Sequence, residues 1–136
     1  MDVLSPKERS YCMSRIRKYD TIPELAVRRI IHRLGYRFRL YRTDLPGCPD
    51  IVLPRHKKVI FVHGCWWHRH NCRYGRRVPK SRQDYWLPKL RRNKERHRRN
   101  VRMLRKQGWQ VLTVWECQVK NAEKLTPRIA SFLKGQ

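Results

Sequence analysis

Twelve consecutive residues, Phe61-Val62-His63-Gly64-Cys65-Trp66-Trp67-His68-Arg69-His70-Asn71-Cys72, hold three histidines, two cysteines, two adjacent tryptophans and an arginine. Cys65, His70 and Cys72 have the side chains of metal ligands, and Cys117 follows a late apolar segment, Trp109-Gln110-Val111-Leu112-Thr113-Val114-Trp115. Three thiols and one imidazole form a common closed tetrahedral zinc set, which leaves no position for substrate and is therefore structural. Such a set would tie the central loop to a distant strand end. His63 and His68 are alternative ligands in place of His70, and buried thiols without a metal are the plainer reading.

The strands around this loop can be read from periodicity. Thr21-Ile22-Pro23-Glu24 is a T-x-x-E capping box with proline in the first turn, and Leu25, Ile30, Ile31 and Leu34 continue a helix that Gly35 stops. A shorter helix is expected earlier, over residues 6–17. Tyr36-Arg37-Phe38-Arg39-Leu40-Tyr41 alternates as a strand does. After the breaker Pro46-Gly47-Cys48-Pro49, the segments Asp50-Ile51-Val52-Leu53 and Val59-Ile60-Phe61-Val62 flank a polar Arg55-His56-Lys57-Lys58 turn and read as a hairpin. Ser81 with Asp84 opens a long basic helix that ends at Gly108, and Thr126-Pro127 opens a C-terminal helix. Helix, three strands, helix, strand, helix predicts one α/β sandwich domain around a small mixed sheet, with the last strand reached by a helical crossover.

Charge narrows the partner. The chain of 136 residues has 34 Lys+Arg against 10 Asp+Glu, a net charge of +24 and a pI near 11.1. Such self-repulsion calls for a polyanion, and 23 of the cations are arginine, which suits bidentate phosphate contact. Nucleic acid is expected rather than a membrane. No apolar run reaches the roughly 18 residues of a spanning helix, and Met1-Asp2-Val3-Leu4-Ser5-Pro6 lacks a signal pattern. An intracellular, cytoplasmic chain is expected, with nothing that calls for an oligomer.

Asp50 is one of few acids in a basic chain. Mirroring the hairpin about its turn places Asp50 opposite His63 and Val52 opposite Phe61, and a carboxylate facing an imidazole suits an Mg²⁺ ligand beside a general base. A turn-capping aspartate is the alternative. Glu24 either closes its own helix end or joins the site, and His68 is either a second catalytic histidine or a polar loop residue. Trp66, Trp67 and Trp86 either pack on the metal loop or enter a DNA base step, which costs least where pairing is defective. The run of lysines and arginines from Lys89 to Lys106 is read as tracking phosphates.

Several strings together resemble one family. They are Arg9-Ser10 with Met13, Asp20-Thr21-x-x-Glu24, Leu45-Pro46-Gly47-x-Pro49-Asp50, Val59-Ile60-Phe61-x-His63-Gly64-Cys65-x-Trp67-His68-x-His70-x-Cys72, Tyr85-Trp86 and Gly108-Trp109-x-Val111-Leu112-x-Val114-Trp115-Glu116-Cys117. They resemble the very short patch repair (Vsr) endonucleases over nearly the whole chain. The resemblance implies a restriction-endonuclease-like fold and an Mg²⁺-dependent nick 5′ to the thymine of a T·G mismatch, the product of 5-methylcytosine deamination. It implies Asp50 as Mg²⁺ ligand with the backbone carbonyl of Val62, Glu24 reaching a water of that ion, and His63 and His68 as catalytic histidines. Cys65, His70, Cys72 and Cys117 would hold Zn²⁺. Trp66, Trp67 and Trp86 would intercalate, Arg69 would join the DNA contacts, and a helix within residues 1–19, around Met13, would form a DNA-contacting arm.

Three departures stand out. The second hairpin strand lacks the (D/E)-x-K pattern common in this fold, which is typical of the repair family. Val62 replaces a familiar threonine and so keeps only a backbone role, and Cys48 stands where a basic residue is usual, weakening a DNA contact. A nuclease of the same fold without mismatch specificity, of restriction or strand-transfer type, and a zinc-stabilised nucleic-acid-binding module are the competing expectations.

Overall fold

A computed structural model describes residues 21–66, 68–73 and 75–135. The expected N-terminal helix, with Met13, and Trp67 lie outside the described residues. The elements are α1 (Ile22–Arg33), β1 (Arg39–Leu40), β2 (Ile51–Leu53), a 3₁₀ turn (Pro54–His56), β3 (Lys58–His63), α2 (Gln83–Lys106), β4 (Gln110–Trp115), α3 (Glu116–Val119) and α4 (Ala122–Lys134). The sheet order is β1-β2-β3-β4, antiparallel as far as β3 and parallel between β3 and β4. Two parallel strands need a crossover, and α2 supplies it.

Each face of the sheet buries its own cluster. Ile51, Leu53, Ile60, Val62, Leu112 and Val114 pack against Val27 and Ile31 of α1 and Leu125, Ile129 and Leu133 of α4. The i,i+4 spacing of those helical residues gives each helix one apolar stripe. On the other face Val52, Val59 and Phe61 meet Leu45, Leu104 and Trp109, so the hairpin alternation is visible in which cluster each residue joins. Gly47, at φ 77, is held close to this second face: a Cβ there would lie 3.1 Å from Asn100 and 3.2 Å from Phe61. This close approach seats the buried loop that leads to Asp50.

Four boundaries differ from expectation. The strand over residues 36–41 shrinks to Arg39–Leu40, both exposed, because Tyr41 turns into the left-handed region at φ 51. The hairpin turn falls one residue early, with Lys57 at φ 56 and Lys58 already in β3. Val52 therefore lies opposite Val59 rather than Phe61, and Asp50 is not directly opposite His63. The shift is even, so both residues keep the same side of the sheet. Helix α2 starts at Gln83 behind Arg82, at φ 52, with no side-chain cap from Ser81. Helix α4 begins before Thr126, because the Asn121 side chain accepts from the Lys124 N–H at 3.3 Å and leaves Pro127 inside the helix.

Lys58 explains the misplaced turn. Its stem is buried at 3% exposure, and its ammonium donates to the carbonyls of Phe132 and Leu133, both at 2.7 Å, and to that of Gly135. A cation on the open carbonyls of a helix C-terminus is favoured by both hydrogen bonding and the helix dipole. Lys58→Met keeps the stem and removes the donor, and it should cost about 2 kcal/mol in urea unfolding. An unchanged midpoint would show that this cap does not hold α4 to the sheet.

Candidate active site and metal centre

The parallel register pairs His63 with Trp115, so β3 and β4 end side by side. Chain segments leaving both ends converge there, the place where open α/β sheets present their functional groups. Cys65 follows β3, and Cys117 sits in α3 immediately after β4. The two residues meet there, since the Cys117 N–H donates to Cys65 Sγ at 3.3 Å.

The loop after β3 folds back on itself to deliver the other two ligands. The His70 N–H donates to the Cys65 carbonyl at 2.9 Å, and the Cys72 N–H to that of His70 at 2.8 Å. The His70 ring stacks on Trp115, centroids 4.3 Å apart, and its Nδ1 lies 3.6 Å from Cys117 Sγ. Gly75 permits the closure, because a Cβ there would meet the His70 carbonyl oxygen at 1.9 Å, and its N–H donates to Cys72 Sγ at 3.4 Å. One ligand atom from each of Cys65, His70, Cys72 and Cys117 lies within 4.8 Å of all the others. Four tetrahedral ligands about 2.0–2.3 Å from a zinc ion would stand roughly 3.3–3.8 Å apart, so a small contraction closes the set. His63 and His68 take no part in it.

Burial sets the electrostatics of the cluster. Burial pushes the Cys65 thiol up to about 12, with the Cys117 and Cys72 sulfurs adding to the effect and the Cys117 N–H opposing it. Burial also raises Cys117, and burial with Arg128 nearby holds His70 below its usual range, which favours the neutral ring. Crowded thiols that resist ionising alone become thiolates when a dication compensates their charge.

Beside this cluster lies a second group of polar side chains. Asp50 is 2% exposed, and its Oδ2 accepts from the Val62 N–H at 2.7 Å, which fixes the carboxylate against the end of β3. A buried carboxylate beside strand carbonyls offers the hard oxygen donors that Mg²⁺ takes. His63 and His68 are both buried, with rings stacked at 3.6 Å and 9° between planes. Glu24, also buried, receives the Tyr41 hydroxyl and the Arg28 guanidinium. Its N–H donates to Thr21 Oγ1 at 3.4 Å. The residue thus serves its helix end through the backbone while its carboxylate points to other partners.

Three contributors escaped sequence reasoning. His97 of α2 meets the His63 ring edge-on at 4.3 Å and Phe61 at 5.0 Å, and its Nε2 lies 3.3 Å from Thr113 Oγ1. A single histidine in a run of arginines gives no signal of this. Arg28 reaches Glu24 as an i,i+4 pair on α1, a spacing that could have flagged it, whereas Tyr41 reaches Glu24 across a separation that no local pattern records.

The candidate DNA-facing residues Trp66 and Trp86 are half-buried and form an aromatic group with the exposed Tyr85. Trp66 and Trp86 are 5.8 Å apart, Tyr85 meets Trp86 at 5.0 Å, and Lys89 lies over both Tyr85 and Trp86. Trp66 Nε1 and the Arg69 guanidinium both donate to the Arg77 carbonyl, at 3.1 and 2.7 Å. Arg69 therefore braces the loop. Arg91, Arg92, Arg98, Arg99, Arg102 and Arg105 are exposed along α2. Cys48, 1% exposed, points inward and is not on a DNA-facing surface.

Comparison with known proteins agrees with this geometry. Residues 1–74 match the family described as DNA mismatch endonuclease Vsr. The type II nicking enzyme V.XorIIP of Xanthomonas oryzae pv. oryzae is 49% identical over 132 residues, covering 97% of this chain and 96% of that one. The DNA mismatch endonuclease Vsr of Escherichia coli K12 is 42% identical over 125 residues, covering 92% and 80%. The catalytic domain of the homing endonuclease I-Bth0305I superposes with a TM-score of 0.57 at 20% identity, covering 83% of this chain and 94% of that domain. That likeness establishes the restriction-endonuclease-like fold. With a matching family, near full-length relatives and this fold around a buried acid and stacked imidazoles, the chain belongs to the Vsr family of DNA mismatch endonucleases and is a DNA endonuclease.

Proposed function

We propose that this endonuclease nicks one strand on the 5′ side of the thymine in a T·G mismatch, with Mg²⁺ at Asp50 and Zn²⁺ at the Cys65, His70, Cys72 and Cys117 cluster. The observation that carries the reading is the buried Asp50 carboxylate, locked to the Val62 N–H at 2.7 Å at the strand end that also bears His63. The names of the E. coli Vsr and Xanthomonas relatives support mismatch recognition and nicking.

Asp50 and the Val62 carbonyl would hold the Mg²⁺ ion, which when bound supplies Lewis-acid charge to the scissile phosphate. Glu24, on α1, is suited to orient a water of that site. The imidazoles of His63 and His68 handle the proton. Two imidazolium rings 3.6 Å apart would repel strongly. A neutral ring in this pair is suited to accept the proton of the attacking water.

The thiol cluster anchors the loop from which Trp66 projects, and Trp86 approaches it from α2. Together with Trp67 they are suited to enter a weakened base step, while the arginines of α2 and the Met13 region engage phosphates and the opposite groove. The protein is read as a cytoplasmic monomer acting on duplex DNA as one domain. Among the described residues, no helix is long and apolar enough to cross a membrane.

The discriminating experiment compares two labelled duplexes that differ by a single base, one with T·G and one fully matched. The T·G duplex should be nicked at least about 100-fold faster, the difference that roughly 3 kcal/mol of unequal unstacking cost would give. Equal rates would leave a nuclease without mismatch preference.

A further inference from the structure

Glu24 and Asp50 belong to different elements, the first turn of α1 and the loop before β2, and Tyr41 holds both. Its hydroxyl donates to Glu24 Oε2. Its backbone N–H donates to the Asp50 carbonyl at 3.4 Å. Arg28 braces the pair, donating to Glu24 Oε2 at 3.3 Å and to the Tyr41 hydroxyl at 2.6 Å, with its guanidinium 5.6 Å from the centre of the Tyr41 ring.

The backbone at Tyr41 is unusual for a bulky residue. Its φ of 51 lies in the left-handed region, which glycine and asparagine occupy with less strain. Strain of this kind persists only where surrounding contacts over-determine it. Here those contacts are the charge-assisted bond to a buried carboxylate and the link to the backbone of Asp50, just before β2. The turn ends β1 after Leu40 and takes the side chain away from the strand alternation, toward α1.

We infer that Tyr41 is a positioning residue for the nick: through its hydroxyl and its backbone N–H it sets the Glu24 carboxylate relative to Asp50, so that both face one divalent cation. The inference rests on the proposed use of Asp50 and Glu24. Tyr41 itself touches neither DNA nor ion in this role, and it acts by removing the freedom of Glu24 to swing toward solvent or toward Arg28 alone.

The test is Tyr41→Phe, which deletes one oxygen and retains ring and backbone. On the T·G duplex kcat should fall about tenfold, with KM for DNA unchanged within about twofold. Mn²⁺ binding, measured by calorimetry on the protein without DNA, should weaken several-fold, while the melting temperature stays within about 2 °C. In a Glu24→Gln background the same substitution should cause no further loss, since a residue that acts through Glu24 has nothing left to position.

Unchanged kcat together with unchanged Mn²⁺ affinity overturns the inference. So does a loss that is as large in the Glu24→Gln background as in the parent, or a drop in melting temperature that accounts for the loss of activity. Asp50→Ala in the same assays keeps the two readings apart. If that variant nicks and binds Mn²⁺ as the parent does, the proposed site is wrong. If it is inactive while Tyr41→Phe is indistinguishable from the parent, the site stands and the role of Tyr41 falls.

Discussion

Asp50→Ala should lower the nicking rate by about a thousandfold or more, equivalent to roughly 4 kcal/mol of transition-state stabilisation, and leave duplex binding close to that of the parent. The proposed phosphate contacts come from the arginines of α2, which are exposed. In the proposed mechanism the cation depends on the buried Asp50 carboxylate, with Glu24, His63 and His68 beside it. Because Oδ2 of Asp50 also accepts the Val62 N–H at 2.7 Å, the alanine leaves a buried donor unsatisfied and should cost about 1–3 kcal/mol of stability as well. Asp50→Asn separates the two effects. Its amide oxygen can still accept from Val62, so folding should recover most of the loss, whereas the charge that holds a hard cation is gone and the rate should stay low. An asparagine variant with near-parental nicking would mean that the carboxylate serves only the strand end.

The other large effect concerns the thiol cluster. Cys72→Ser should lower the melting temperature by about 10 °C, on the basis that about 3 kcal/mol is lost when one of four ligands weakens and that each kcal/mol shifts a domain of this size by roughly 3–4 °C. The loss should spread, because the cluster joins the loop after β3 to α3 after β4 and carries Trp66. A chelator should produce the same shift in the parent and little further shift in the variant. Metal analysis should find one zinc per chain in the parent. Reduced, active protein that contains no zinc and melts identically with and without chelator would contradict a structural metal.

What the sequence made legible was governed by local chemistry. The Thr21 cap, the two buried strands β2 and β3 and the neighbouring Cys65, His70 and Cys72 follow from side chains and short spacings, and Cys117 joins those three because β4 lies beside β3. The register of the hairpin was not legible. Lys58 reads as a turn residue because lysine is usually solvated, yet its ammonium finds carbonyls at the end of α4, at the far end of the chain. That contact draws Lys58 into the strand and moves the turn by one residue.

The candidate site shows the same division. Asp50, His63 and His68 carry their chemistry in their identity and position. Tyr41 and His97 do not, since a tyrosine at a strand end and a histidine among arginines are ordinary until folding places one on Glu24 and the other on His63. The start of α4 shows how two valid signals can compete. Thr126-Pro127 is a proper helix opening, but Asn121 caps first and brings Leu125 into the apolar stripe with Ile129 and Leu133.

The most direct measurement is a strand-resolved nicking assay of the purified, zinc-loaded protein on one T·G duplex, with Mg²⁺ present and with Mg²⁺ removed. A single cut immediately 5′ to the mismatched thymine, dependent on Mg²⁺, is the expected result. Cleavage of both strands, a cut at any other position, or undiminished nicking without a divalent cation would contradict it.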